Sequence, residues 1–143
     1  PINDVFKIKQ YYRNPGKKVK ILIVDDSLMD RKLLTNVLKK NGVTQEILEA
    51  NNGEEGVKVL GEKFKEICLI LLDWQMPVMD GLEFMKTVMK VPEVASIPIV
   101  MITASGSEEN KNQVRSVNPN LAGYVVKPYT PNTLIETIKP YLK

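Results

Sequence analysis

Three aspartates, a threonine and a lysine each follow a short apolar segment, and their side chains could do chemistry together. Asp25 and Asp26 follow the first apolar segment, and Asp73 follows the third. Thr103 and Lys127 follow the fourth and the fifth. Clustered carboxylates repel one another, so such a group favours a hard divalent cation such as Mg²⁺, which prefers oxygen ligands. Lys127 would place positive charge beside a bound anion, and Thr103 would offer that anion a hydroxyl.

Asp73 is the candidate nucleophile of this group, because a carboxylate can attack phosphorus to give an acyl phosphate. It follows the most apolar segment of the chain, and the Pro77 loop behind it could admit a donor. In-line phosphoryl transfer needs mainly positioning and charge neutralisation, which Mg²⁺ and Lys127 would supply. Each residue alone fits a helix cap, a turn or a strand end, but their recurrence after successive segments favours the chemical interpretation.

The composition of the 143 residues excludes several other kinds of site. There is no histidine, which removes Ser-His-Asp and Cys-His catalysis, and the single cysteine cannot complete a zinc site or an internal disulfide. The lack of a disulfide favours a cytoplasmic location. A net charge of +3 argues against direct nucleic-acid binding, and no apolar run is long enough for membrane insertion.

The elements that must position these residues alternate along the chain. Apolar segments at 19–24, 45–50, 68–72, 97–102 and 123–126 predict five buried strands. Five helical patterns lie between and after them; Ser27, Ser107 and Thr130 are candidate N-caps, and Leu33, Leu34, Val37 and Leu38 form the first apolar stripe. This alternation predicts an α/β fold with a doubly wound parallel sheet, whose ligand site lies beyond the carboxyl ends of the strands.

The domain boundary is predicted near Val19. Residues 1–18 form an N-terminal extension or linker with a turn signal at Asn14-Pro15-Gly16, and residues 19–143 form the folded domain. From about residue 19 onward the chain resembles the receiver domains of two-component response regulators, in the style of the single-domain, CheY-like chemotaxis proteins. The motifs ILIVDDS, LLDWQMPVMDG, IVMITA and GYVVKPY follow the order and spacing of that family.

The resemblance implies a flavodoxin-like sheet of order 2-1-3-4-5 and a phosphoacceptor switch that catalyses its own phosphorylation and dephosphorylation, rather than an enzyme in the usual sense. Asp73 would be the phosphoacceptor. Asp25, Asp26, Asp73 and the backbone carbonyl of Gln75 would hold Mg²⁺ or Mn²⁺. Of the pair Asp25-Asp26, Asp26 is the one expected to coordinate the ion directly. Gln75 and Ser105 occupy positions that tune the lifetime of the phosphoryl group in the family.

The resemblance also implies a conformational switch that involves Lys127, Thr103 and Tyr124. Lys127 would contact the phosphoryl group and precede a cis bond to Pro128. Thr103 would move to hydrogen-bond the phosphoryl group, and the Tyr124 ring would swing into the space that Thr103 leaves. A surface formed by the fourth helix, the fifth strand and the fifth helix would thereby change its preferred state.

The implied phosphodonor is a histidine kinase or a histidine-phosphotransfer protein, and the implied target is a downstream protein that binds this surface. The resemblance is compatible with a monomer and with a phosphorylation-dependent dimer. It is equally compatible with a chemotaxis protein, a relay intermediate or a receiver from a larger regulatory protein. One alternative is a haloacid-dehalogenase-type phosphatase, although that family carries Asp-x-Asp where this chain has Asp25-Asp26. A flavodoxin-like FMN binder would need a Ser/Thr/Gly-rich loop in place of DDSLMDRK. A pseudo-receiver scaffold would not need Asp73 and Lys127.

Overall fold

A computed structural model describes residues 19–142, and the predicted extension at 1–18, with its turn signal, lies outside the described residues. Five parallel strands form one sheet in the order β2-β1-β3-β4-β5, which confirms the predicted fold. The strands are β1 (Lys20–Val24), β2 (Glu46–Ala50), β3 (Ile67–Leu72), β4 (Ile99–Thr103) and β5 (Gly123–Val126). Because β1 and β3 are neighbours at the centre, the residues that follow them meet at one edge.

Six α-helices lie within the described residues, one more than predicted. They are α1 (Leu28–Lys40), α2 (Gly53–Lys63), α3 (Gly81–Met89), α4 (Pro92–Ala95), α5 (Glu108–Val117) and α6 (Pro131–Ile138). The fourth and fifth predicted helices are therefore α5 and α6, and the addition is α4, whose four residues are too few to show a helical period. None of the helices in 19–142 is both long enough and apolar enough to span a membrane.

The centre of the sheet is buried on both faces because β3 and β4, and β1 after Lys20, consist almost entirely of apolar residues, whereas the edge strand β2 carries exposed glutamates. Every residue of β3 is buried, as the CLILL segment predicts. One core layer packs α2, α3 and α5 against the sheet and contains Phe84 and Met85. The other packs α1 and α6 against the opposite face through Leu34, Leu38 and Leu134. The helices are thus divided between two faces, as expected for a doubly wound fold.

Side-chain caps fix where helices begin at the carboxyl edge of the sheet. Ser27 accepts a hydrogen bond from the Asp30 amide at 3.1 Å, and Ser107 and Thr130 cap α5 and α6 in the same way. The predicted stripe of α1 is wrong at one position, because Leu33 is 57% exposed while Leu34 and Leu38 are buried. Leu33 lines an apolar cavity between α1 and the start of α6.

Candidate functional site

The three predicted aspartates come together at the carboxyl edge of β1 and β3. The Asp73 amide donates to the Val24 carbonyl at 2.9 Å, which aligns the residues that follow the two strands. One carboxylate oxygen from each of Asp25, Asp26 and Asp73 lies within 4.8 Å of the others. Asp25 is buried, Asp73 is half-buried and Asp26 is exposed, so the cluster opens to solvent on the Asp26 side.

This donor set fits a hard divalent cation. Three carboxylates close enough to share one ion are the ligands that Mg²⁺ takes in proteins, with water completing its shell. Gln75 is exposed and lines an open groove of about 500 Å³ together with Asp26, Trp74, Met76, Pro77 and Asp80. The groove gives an ion and a small phosphodonor room to approach the carboxylates from solvent.

The electrostatics of Asp73 reflect its crowded position. Burial, together with the charges of Asp25 and Asp26, raises the pKa of its carboxyl to about 6, against the opposing effects of Lys127 and the Trp74 amide. That amide donates to Asp73 Oδ1 at 2.9 Å and orients the carboxylate. A nearby cation would stabilise the charged form of this carboxyl, which burial and the neighbouring carboxylates disfavour.

Lys127 reaches the cluster from the end of β5, at the residue before the cis bond to Pro128. Its Nζ lies 3.2 Å from Asp25 Oδ2, 3.1 Å from Asp30 Oδ2 and 3.8 Å from Asp73 Oδ1. Burial works to lower the pKa of the ammonium, but these carboxylates outweigh burial and hold the pKa above its usual 10.5. Lys127 therefore keeps its positive charge beside Asp73.

Thr103, Ser105 and Tyr124 form a connected group on the β4 side of the site. Thr103 is buried at the end of β4, and its Oγ1 accepts a hydrogen bond from the Ser105 amide at 3.3 Å. The half-buried Tyr124 donates its hydroxyl to the Ser105 carbonyl at 2.6 Å. Asn110 of α5 bonds to the Ser105 hydroxyl, and Lys111 Nζ lies 5.8 Å from the centre of the Tyr124 ring. The loop after Thr103 is thus bonded to both α5 and β5.

Sequence reasoning missed three residues that shape the site. Asp30, in the first turn of α1, accepts a hydrogen bond from Lys127. Arg31 donates through Nη1 to the Asp25 carbonyl at 2.5 Å. Gly81 is needed because a Cβ there would lie 2.2 Å from the Asp73 carbonyl oxygen. The available signal was position, since the first turn of α1 and the start of α3 both lie at the sheet edge that carries the aspartates.

The chain resembles known proteins in both sequence and fold. The family model for the response regulator receiver domain matches residues 21–139. A chemotaxis protein CheY homologue of Campylobacter jejuni is 33% identical over 87% of this chain and 92% of its own length. The phosphate regulon transcriptional regulatory protein PhoB of Escherichia coli is 34% identical over 87% of this chain, which matches about half (52%) of that protein.

Solved structures agree with the sequence relatives. The chemotaxis response regulator CheY4 of Vibrio cholerae superposes with a TM-score of 0.76 at 32% identity, covering 88% of this chain and all of that one. The family model alone spans most of the described residues and includes every predicted site residue. The predicted resemblance is confirmed: the chain belongs to the response regulator receiver domain family, whose members are phosphoacceptors in two-component signalling.

Proposed function

We propose that Asp73 is the phosphoacceptor of this receiver and that Asp25, Asp26 and Asp73, with the Gln75 carbonyl, hold Mg²⁺ or Mn²⁺. The observation that carries the proposal is the meeting of three carboxylates within 4.8 Å beside the Lys127 ammonium. Each of these residues follows a strand, and the parallel sheet brings them to one edge. A haloacid-dehalogenase-type phosphatase is not favoured, because the family model matches a receiver and Asp25-Asp26 are adjacent.

The residues of the chain divide the work of phosphoryl transfer among them. A carboxylate oxygen of Asp73, oriented by the Trp74 amide, attacks the phosphorus of the donor. The bond from phosphorus to the donor breaks, and the donor leaves with its electron pair. Lys127 stabilises the negative charge on the transferring group. A divalent ion held by Asp25, Asp26 and Asp73 would neutralise part of the negative charge during the transfer.

The phosphoryl group would act on the surface formed by α5, β5 and α6. It adds negative charge and three acceptor oxygens at Asp73, towards which the Thr103 hydroxyl is drawn. Thr103 is bonded to Ser105, whose carbonyl holds Tyr124 of β5, so a shift of this loop moves the ring. Gln75 and Ser105, both at the site, are the positions where side-chain identity would tune the phosphoryl lifetime.

Family membership supports a proposal for the partners and the location of the protein. We propose a histidine kinase or histidine-phosphotransfer protein as phosphodonor, a downstream protein on the α5–β5–α6 surface, and a cytoplasmic location. The domain is residues 19–143, with 1–18 as an extension, and it works as a monomer or a phosphorylation-dependent dimer. The matched relatives include chemotaxis proteins and a transcriptional regulatory protein. The proposal therefore concerns the phosphorylation switch and does not specify the cellular process that it controls.

Intact mass after incubation with acetyl phosphate tests this function. We expect one labile phosphoryl adduct that needs Mg²⁺ and is lost in Asp73→Asn. Glu93→Gln removes one exposed carboxylate at α4, before β4, and should leave the adduct unchanged. An adduct that persists in Asp73→Asn, or no adduct on folded protein in excess Mg²⁺ and donor, would contradict the proposal.

A further inference from the structure

Lys127 is shared between two kinds of carboxylate. Asp25 and Asp73 belong to the three-carboxylate cluster, whereas Asp30 does not. Asp30 nevertheless makes a contact as short as that of Asp25, with Oδ2 at 3.1 Å from Nζ against 3.2 Å for Asp25 Oδ2, whereas Asp73 Oδ1 lies 3.8 Å away. It reaches Lys127 from the first turn of α1, 97 residues earlier in the chain. In the unphosphorylated protein the ammonium therefore lies closer to α1 than to the phosphoacceptor.

We infer that Asp30 is a positioning residue that retains Lys127 on the α1 side of the site and so slows phosphorylation of Asp73. The inference rests on the proposed role of Asp73 as phosphoacceptor. Lys127 must come closer to Asp73 to contact the phosphoryl oxygens, and this movement weakens its contact with Asp30. The contact is thus an interaction of the resting state, whose loss adds to the barrier for transfer.

The different surroundings of the carboxylates explain why Asp30 can act in this way. The Asp25 side chain is 7% exposed and that of Asp73 is 12% exposed, and both belong to the cluster whose charge a divalent ion would neutralise. The Asp30 side chain is 45% exposed and lies outside that cluster. Its charge therefore remains available to Lys127, although solvent keeps the interaction modest.

Two simpler roles make different predictions. Asp30 lies in the first turn of α1, where a carboxylate stabilises the helix N-terminus, and this role does not involve Lys127. Its negative charge could also repel an anionic donor, again without Lys127. Asp30→Asn removes the charge in all three cases, so the deciding observation is whether its effect depends on the lysine.

A double-mutant cycle separates these roles. Rates of phosphorylation by acetyl phosphate in saturating Mg²⁺ are compared for the wild type, Asp30→Asn, Lys127→Met and the double variant. We expect Asp30→Asn to raise the wild-type rate by about two- to five-fold, the range that an exposed ion pair supplies. In the Lys127→Met background the same change should have no effect. Asp30→Glu, which keeps the charge, should stay closer to the wild-type rate.

The controls distinguish failure of the inference from failure of the proposed function. Glu93→Gln makes the same change in net charge away from the site and should not alter the rate. An unchanged or reduced rate in Asp30→Asn would overturn the positioning role, as would an equal increase in the Lys127→Met background. Absence of an adduct on the wild type would instead contradict the role of Asp73.

A second cycle does not depend on phosphorylation or on metal. Urea unfolding of the same four proteins in EDTA measures the coupling between Asp30 and Lys127 directly. We expect a coupling of about 1.5- to 5-fold in the unfolding equilibrium constant, as for a partly exposed ion pair. Additive effects of the two substitutions would mean that the contact does not form in solution, and the inference would fall even if Asp30→Asn changed the rate.

Discussion

Replacing Asp73 with asparagine should stabilise the metal-free protein, because the folded site disfavours the charged carboxylate. Burial raises the pKa of this carboxyl from 3.8 to about 6, with help from Asp25 and Asp26. The folded protein therefore holds the proton more tightly than the unfolded chain between these two pH values. Stability contributed by protonated Asp73 is complete below about pH 4 and is lost as the pH rises through about 6.

The size of the effect follows from the same shift. A rise from 3.8 to about 6 corresponds to about 3 kcal/mol, at about 1.4 kcal/mol per pH unit. This shift already includes the opposing attraction of Lys127, whose Nζ lies 3.8 Å away. Because the cluster opens to solvent on the Asp26 side, screening reduces the effect below this figure. We therefore expect Asp73→Asn to raise the unfolding free energy at pH 7.5 by about 1 to 3 kcal/mol. For a domain of this length the melting temperature would rise by about 4–12 °C.

Urea unfolding followed by far-UV circular dichroism, in EDTA from pH 4 to pH 8, measures this difference. The gain of Asp73→Asn over the wild type should be near zero at pH 4 and should grow to its plateau above about pH 6.5. Glu93→Gln, an exposed carboxylate in α4, controls for net charge and should give a flat difference. A gain that is absent at pH 7.5, or larger at pH 4 than at pH 7.5, would refute the electrostatic reasoning.

Three further changes test the packing, the metal site and the switch. Gly81→Ala places a Cβ 2.2 Å from a backbone oxygen and should lower the unfolding free energy by about 1–3 kcal/mol. The control Gly61→Ala, in open space within α2, should raise it by about 0.5–1 kcal/mol; equal values in urea unfolding would contradict the steric argument. Mg²⁺ should change the fluorescence of Trp74, and Asp26→Asn should weaken the apparent affinity by about tenfold or more; unchanged affinity would remove Asp26 from the ligand set. Tyr124→Phe loses the 2.6 Å bond to the loop after β4 and should cost about 0.5–1.5 kcal/mol in urea unfolding, so unchanged stability would mean that the bond contributes nothing.

The fold was predictable because its signals are local and strong. The central strands are short apolar runs, and Ser27, Ser107 and Thr130 cap helices as their side chains predict. The order of the strands came from the family resemblance and is confirmed. The α4 helix was missed because four residues make barely one turn. Leu33 was assigned to the core because it continues an apolar stripe, whereas its position over the α1–α6 cavity leaves it exposed.

The site was predictable as far as topology determines it. In a parallel sheet, residues after successive strands share one edge, so Asp25, Asp73 and Lys127 could be grouped from their positions alone. The contact of Asp30 with Lys127 could not be predicted in this way. It depends on the angle at which α1 leaves the sheet and on the rotamers of two side chains 97 residues apart, neither of which a sequence pattern encodes.

The most direct test of the central assignment is to locate the phosphoryl group. Protein phosphorylated with acetyl phosphate and Mg²⁺ is reduced with borohydride, which converts an aspartyl phosphate to homoserine, and the modified residue is identified by peptide mass spectrometry. We expect homoserine at position 73 and only when donor and Mg²⁺ are both present. Homoserine at Asp25, Asp26 or Asp30 instead, with Asp73 unmodified, would contradict the assignment of Asp73 as the phosphoacceptor.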